Sequence, residues 1–171
     1  MKNTAINNIS YTGIVTLSQY TNGKKFIIAQ KHNAGKHPLF DFLVDCLAGN
    51  FELARKNMPS KIMLLKSNKN ITDTEVYDSK SQFIFRQTIP EKVNDSEKDK
   101  VRYSFVIPRT VLETADFDAI GLYTDSNQCS TATEINDYAA ICKLTEENKD
   151  SALTMSASTA LVIDWELIIS N

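Results

Sequence analysis

Asp164 and Glu166 flank Trp165 near the end of the chain. On an extended strand, alternate residues share a face, so the two carboxyls would project side by side roughly 7 Å apart. Glycoside hydrolysis uses carboxyl pairs separated by about 5–9 Å, and an aromatic neighbour fits that chemistry. The same alternation argues against it. Leu161, Ile163, Trp165, Leu167 and Ile169 occupy the opposite positions and form an inward face, which leaves the acids as the outward alternates. A glycosidase needs carboxyls on opposing walls of a cleft, and one strand cannot supply them.

The other residues able to do chemistry are few. His32 and His37 are the only histidines, and His37, Asp41 and Asp45 fall at i, i+4 and i+8. On a helix, that stripe offers one imidazole and two carboxylates, a donor set some divalent metals accept. No further ligand is fixed by spacing, and the same stripe is what the solvent side of an amphipathic helix looks like. Cys46, Cys129 and Cys142 are an odd set without CxxC spacing, so reduced, partly buried thiols are expected. A Cys46–His37 pair would span more than two helical turns, beyond hydrogen-bond reach. The serine-rich stretch 151–158 contains no G-x-S-x-G elbow, and five dispersed glycines make no phosphate-cradling loop. The reading is a non-enzymatic chain with no catalytic, cofactor-binding or metal residues and no cofactor.

The elements around these residues read mainly as strands. With 171 residues, 42% hydrophobic and 23% charged, the chain has the composition of an ordinary globular domain, able to bury roughly 70% of its unfolded surface. A net charge of −2 carries no basic footprint for nucleic acid. No apolar run reaches the ~18 residues of a membrane span, so neither nucleic acid nor membrane is an expected partner. Residues 1–10 read as a polar, flexible arm and 11–171 as one domain. Tyr11–Tyr20 and Lys24–Lys31 are rich in β-formers on either side of Asn22-Gly23, the strongest short-range hairpin signal. After Pro38, the residues Leu39, Phe40, Leu43, Val44 and Leu47 recur at helical spacing. Gly49-Asn50 then ends that helix or kinks it, and a second short turn, 51–57, runs up to Pro59.

Downstream, the period changes to two. Strands are expected at 61–66, 81–89, 101–108, 117–123, 138–144 and 160–169. In the clearest of them, Val101, Tyr103, Phe105 and Ile107 face one way. Its expected partner is 81–89, with the charged stretch 90–100 as a solvated hairpin tip. Gly121 inside a strand signals a bulge or a close approach. Loops this poor in helical periodicity imply antiparallel pairing, hence a mainly β fold: an antiparallel β-sandwich or flattened barrel with one helical insertion at about 37–57.

Two stretches are more specific than composition requires. His32-Asn33-Ala34-Gly35, Leu39-Phe40-Asp41-Phe42-Leu43, Leu47-Ala48-Gly49 and Pro59-Ser60-Lys61-Ile62 form an HNxG, LFxFL, LAG, PxxI pattern. It resembles small virion proteins of tailed bacteriophages, short-tailed crAss-like phages among them. Ile120-Gly121-Leu122-Tyr123 and the closing strand 161–167 around Trp165 are similar to the ending of the same kind of protein. The resemblance runs from about residue 30 to the C-terminus, and its motifs are structural.

What the resemblance implies is a subunit of a tail, neck, baseplate or head-fibre assembly, made in the host cytoplasm and located in the virion. Its partners would be further copies of itself and other virion proteins. The alternative is a carbohydrate-binding sandwich using tyrosines and loop asparagines, for which exposed Tyr123 and Tyr138 beside the 124–137 loop are the candidates, although buried packing explains both tyrosines more simply.

Overall fold

Asn22 and Gly23 close the first hairpin as their chemistry suggests. In the computed structural model, which describes residues 10–35, 37–67, 77–86, 91–94, 99–112, 117–124, 136–147 and 160–170, they have φ of 52° and 73°. That left-handed pair is what a type I′ turn needs. It joins β1 (Ser10–Thr21) to β2 (Lys24–Gly35), paired antiparallel with a bulge at Leu17/Ser18. The sequence-stretch read as an arm lies outside the described residues except for Ser10, where β1 begins.

α1 (His37–Leu47) follows β2, with Pro38 in its first turn, where a missing N–H has no consequence. It ends as its Gly-Asn predicts. Gly49 takes φ 74°, its N–H donates to the Cys46 carbonyl at 3.2 Å, and that of Asn50 donates to the Asp45 carbonyl at 2.9 Å. This double bond pattern satisfies carbonyls that a helix end otherwise leaves open. α2 (Phe51–Asn57) packs back on α1, tied by Asn57 Nδ2 donating to Asp45 Oδ2 at 3.0 Å. Pro59 then opens β3 (Pro59–Ser67). Next come β4 (Tyr77–Arg86), β5 (Glu91–Asn94), β6 (Asp99–Ile107), the short α3 (Arg109–Leu112), β7 (Ala119–Thr124), β8 (Ala140–Lys143) and β9 (Leu161–Ser170).

Every pairing is antiparallel, and the order is β4-β3-β7-β8-β2-β1-β9-β6-β5. β2 belongs to both halves. Along most of its length it pairs with β1, but Ala34 and Gly35 at its end pair with Ile141 and Ala140 of β8. The order therefore reads as two sheets joined at that corner, and β4 approaches β6 on the far side. Val15, Leu17, Phe105 and Trp165 from one sheet share a buried cluster with Ile62, Leu64, Ile120 and Leu122 from the other. This is the mainly β, sandwich-like fold with a helical insertion that the periodicity implied.

The strand pairing differs from expectation at one place. The 81–89 segment does not pair with 101–108: β4 lies on β3, Ile62 opposite Phe85, while β6 lies between β9 and β5. The charged stretch is the cause. Residues 91–94 are themselves a strand, with Glu91 opposite Arg102, so the nearest chain to β6 is the local hairpin. A short, charged strand also suits a sheet edge, where it discourages pairing with strangers.

Two glycines are demanded by space. A Cβ on Gly13 would lie 1.7 Å from Asn33 Oδ1, the atom that accepts the Trp165 indole N–H at 3.1 Å. Asn33, near the end of β2, and the closing Trp165 strand, read separately in the sequence, are thus one hydrogen-bonded unit at the core. Gly121 is a close approach and not a bulge. Its register with Met63 and Ile141 is unbroken, and the Tyr123 ring folds back to 2.7 Å from where its Cβ would be.

Candidate functional site

The two carboxylates of β9 sit on the outer face of their sheet, as alternation requires, and both are committed to neighbours. Asp164 is buried. It is ion-paired with Lys25, which reaches over from β2, and accepts the Ser104 hydroxyl at 2.6 Å. Glu166 Oε1 accepts Arg102 Nη2 at 2.6 Å and Nε at 3.0 Å. Arg102 also faces Glu91 at 3.7 Å, and its hydrogen bond to Glu166 raises its pKa further above an already high value. The arrangement is a cross-strand ladder tying β2, β9, β6 and β5 together.

The tyrosines assigned to a sugar-binding face are not exposed. Tyr123 and Tyr138 are fully buried and meet edge to face at 6.5 Å, packed with Met63, Leu65 and Ile141 on the second sheet's other side. That sheet is buried on both faces, and its strands accordingly read as continuous apolar runs. The His37, Asp41, Asp45 stripe lies along α1, with Asp45 turned to Asn57. Among the described residues no group of three His, Cys, Asp or Glu is arranged to hold a metal ion, and no helix is long and apolar enough to cross a membrane.

Cys46 and Cys142 are free thiols, whereas Cys129 and the 151–158 serines lie outside the described residues. Burial, reinforced by the Asp45 charge, raises the Cys46 pKa. Burial pushes Cys142 up to about 11, with Lys31 opposing weakly. An unfolded thiol loses its proton near pH 8.5. Above that pH the unfolded chain releases a proton that the native chain still holds, so stability falls as pH rises, until the native thiol also ionises near 11. We expect urea midpoints to drop more steeply between pH 8 and 10.5 for the wild type than for Cys142→Ala, and Cys142 to resist iodoacetamide at pH 8 in the native state. Parallel pH slopes for the two proteins would contradict this.

What the structure leaves open is apolar. Beside the helical stripe, Phe42 packs against the core, and Leu43 is half-buried. Val44 and Leu47 are 62% and 79% exposed, and beyond the Gly49 turn Phe51 and Leu53 are 72% and 49% exposed. The physical reason is the tight turn: it swings α2 against the Asp45 side of α1, so the two helices turn the apolar residues flanking Gly49 outward as a corner. A second apolar group lies at the tip of the β1–β2 hairpin, where Tyr20, Phe26 and Ile27 are exposed. Periodicity had placed these residues on strands and helices without revealing that they stay uncovered. Large exposed apolar groups of this kind mark contact surfaces in soluble proteins.

No family model matches the chain, and no curated protein or solved structure matches it significantly.

Proposed function

We propose that this chain is a non-enzymatic structural subunit of a phage virion, assembling as an oligomeric ring or attachment layer in the tail or neck region. The observation that carries the assembly reading is the apolar corner between α1 and α2. α1 ends in a defined cap with α2 starting just beyond it, and the two helices present Leu47 and Phe51 to solvent instead of to the core. Burying side chains of that size is worth about 1.5–3 kcal/mol each, a gain left for a partner. The side chains that could do chemistry on the sheet, Asp164 and Glu166, are engaged in the ladder, which favours a framework role. The virion part rests on the motif resemblance, whose residues Asn33 and Trp165 hold the core together in keeping with a structural motif.

Mass spectrometry of purified particles from the phage encoding this chain tests the proposal. The chain is expected at a stoichiometry of several copies per particle, alongside other tail or neck proteins. Its presence in infected cells but absence from purified particles would rule the virion role out. The carbohydrate-binding alternative has lost the two tyrosines that motivated it, since both are buried.

A further inference from the structure

Asn22 is the only asparagine in the chain that is followed by glycine, and the fold leaves this dipeptide uncovered. Both residues are exposed at the tip of the β1–β2 hairpin. In a two-residue loop the flanking pair, here Thr21 and Lys24, exchanges the closing hydrogen bonds, so the Gly23 N–H takes no part in the ladder. Among the described residues nothing accepts it, and nothing bonds the Asn22 side-chain amide. A Cβ on Gly23 would meet nothing within 4 Å, so no neighbouring group crowds the main chain there. We propose that Asn22 is a site of spontaneous covalent modification, losing its side-chain amide as ammonia and becoming aspartate or isoaspartate on the folded hairpin. The inference does not depend on what the chain assembles with.

The Gly23 nitrogen, once its proton has gone to hydroxide, attacks Cγ of Asn22. The N–Cγ bond forms, the Cγ–Nδ2 bond breaks, and ammonia leaves with a proton from water, which restores the hydroxide. Water then cleaves one of the two N–C bonds of the resulting imide. Cleaving N–Cγ gives aspartate. Cleaving the original main-chain bond gives isoaspartate, whose main chain runs through the side-chain carbons. Water is the only co-reactant. A cation beside the nitrogen favours its charged form, and Lys24, exposed next in the chain, supplies it, since Lys25 is paired with Asp164.

Other asparagines of the described fold lack this combination. Asn33 precedes Ala34 within β2, and its Oδ1 is held by the Trp165 indole. Asn57 precedes Met58 and donates its amide to Asp45. Asn50 precedes Phe51, whose side chain crowds the attacking nitrogen as a glycine does not.

The two products act differently on the hairpin. Aspartate keeps the turn, because Asp-Gly is itself a type I′ pair, and it adds an anion beside Lys24 and Lys25. Isoaspartate lengthens the main chain by one methylene in a loop whose length fixes the register. Tyr20 then no longer falls opposite Lys25, and the reach of Lys25 across β1 to Asp164 is disturbed. The ladder thus carries a slow clock at one end.

To test this, folded wild-type protein is aged in mildly alkaline buffer and digested. Mass spectrometry locates the modified residue, and enzymatic methylation counts isoaspartate. Asn22 is expected to lose ammonia and then take up water, at a rate proportional to hydroxide and at least about tenfold above that of Asn33, Asn50 or Asn57. Asn22→Gly, whose Gly-Gly loop suits the same turn, should form no isoaspartate at this position and should keep its thermal midpoint while that of the aged wild type falls. An Asn22 that stays intact in the folded chain, while the urea-unfolded chain reacts, would show that the turn shields its own amide and would overturn the proposal. Equal rates at the other three asparagines would overturn it too. An aged wild type that holds its midpoint despite isoaspartate at position 22 would overturn the effect on the register.

Discussion

Gly13→Ala is expected to cost the fold about 3–5 kcal/mol, a large share of a domain's total stability. The new methyl carbon would stand 1.7 Å from Asn33 Oδ1, 2.5 Å from its Cγ and 2.7 Å from its Nδ2, so the whole amide has to leave. Forcing that move in a packed core costs about 1–3 kcal/mol. It also strands the indole N–H of Trp165, a fully buried side chain, at a further 1–3 kcal/mol or so. The control is the same substitution in an Asn33→Ala background. There the clash has already gone, and the added methyl should cost less than about 1 kcal/mol, giving a strongly non-additive cycle. Trp165 is the only tryptophan, so its fluorescence follows unfolding of this very region. Equal costs in both backgrounds would show that Gly13 is needed for some reason other than Asn33.

The second large effect is expected at Asp164. Removing its carboxylate with Asp164→Ala takes away the partner of Lys25 and the acceptor of Ser104, and hydrogen bonds to a charged group are worth about 1.5–3 kcal/mol each. Lys25 stays partly open to water, which limits the penalty of leaving it unpaired, so a net loss of about 2–3 kcal/mol is expected. Glu91→Gln at the other end of the ladder removes an exposed partner 3.7 Å from Arg102 and should cost under about 1 kcal/mol. Denaturant titrations of both variants check the contrast. If Asp164→Ala proved as mild as Glu91→Gln, the ladder would be surface decoration and not a brace.

The parts of this fold that could be read from the residues are those governed by local physics. Asn22-Gly23 specifies its turn through positive φ, Gly49-Asn50 its helix end, and the alternation at Tyr103, Phe105 and Ile107 the inward face of β6, which is buried as read. Partner choice between strands was not local. β4 and β6 are close in sequence and both alternate, yet each found another neighbour because 91–94 competes for β6 and β3 for β4. For the tyrosines the simpler of the two readings is the one that holds: Tyr123 and Tyr138 are covered on a sheet buried from both sides, and their polar tips and nearby loops do not bring them to solvent. The apolar corner was half legible. Val44 and Leu47 were recognised as a stripe, but periodicity states which residues share a face and not whether anything covers it. That Asn33 touches Trp165 needed Gly13 opposite, a third residue whose role appears only once the strands are in register.

The position of β9 between β1 and β6 sets the order of events during synthesis. β1 and β6 emerge from the ribosome long before residues 161–170, and until those residues appear the two strands face a gap one strand wide. Each must wait with an unpaired edge, and the core beside Trp165 stays open. Such late, non-local closure is slow, and it exposes apolar strand edges to neighbouring chains in the meantime. Docking of the ten-residue strand β9 is therefore the step that separates a folded chain from an aggregation-prone one.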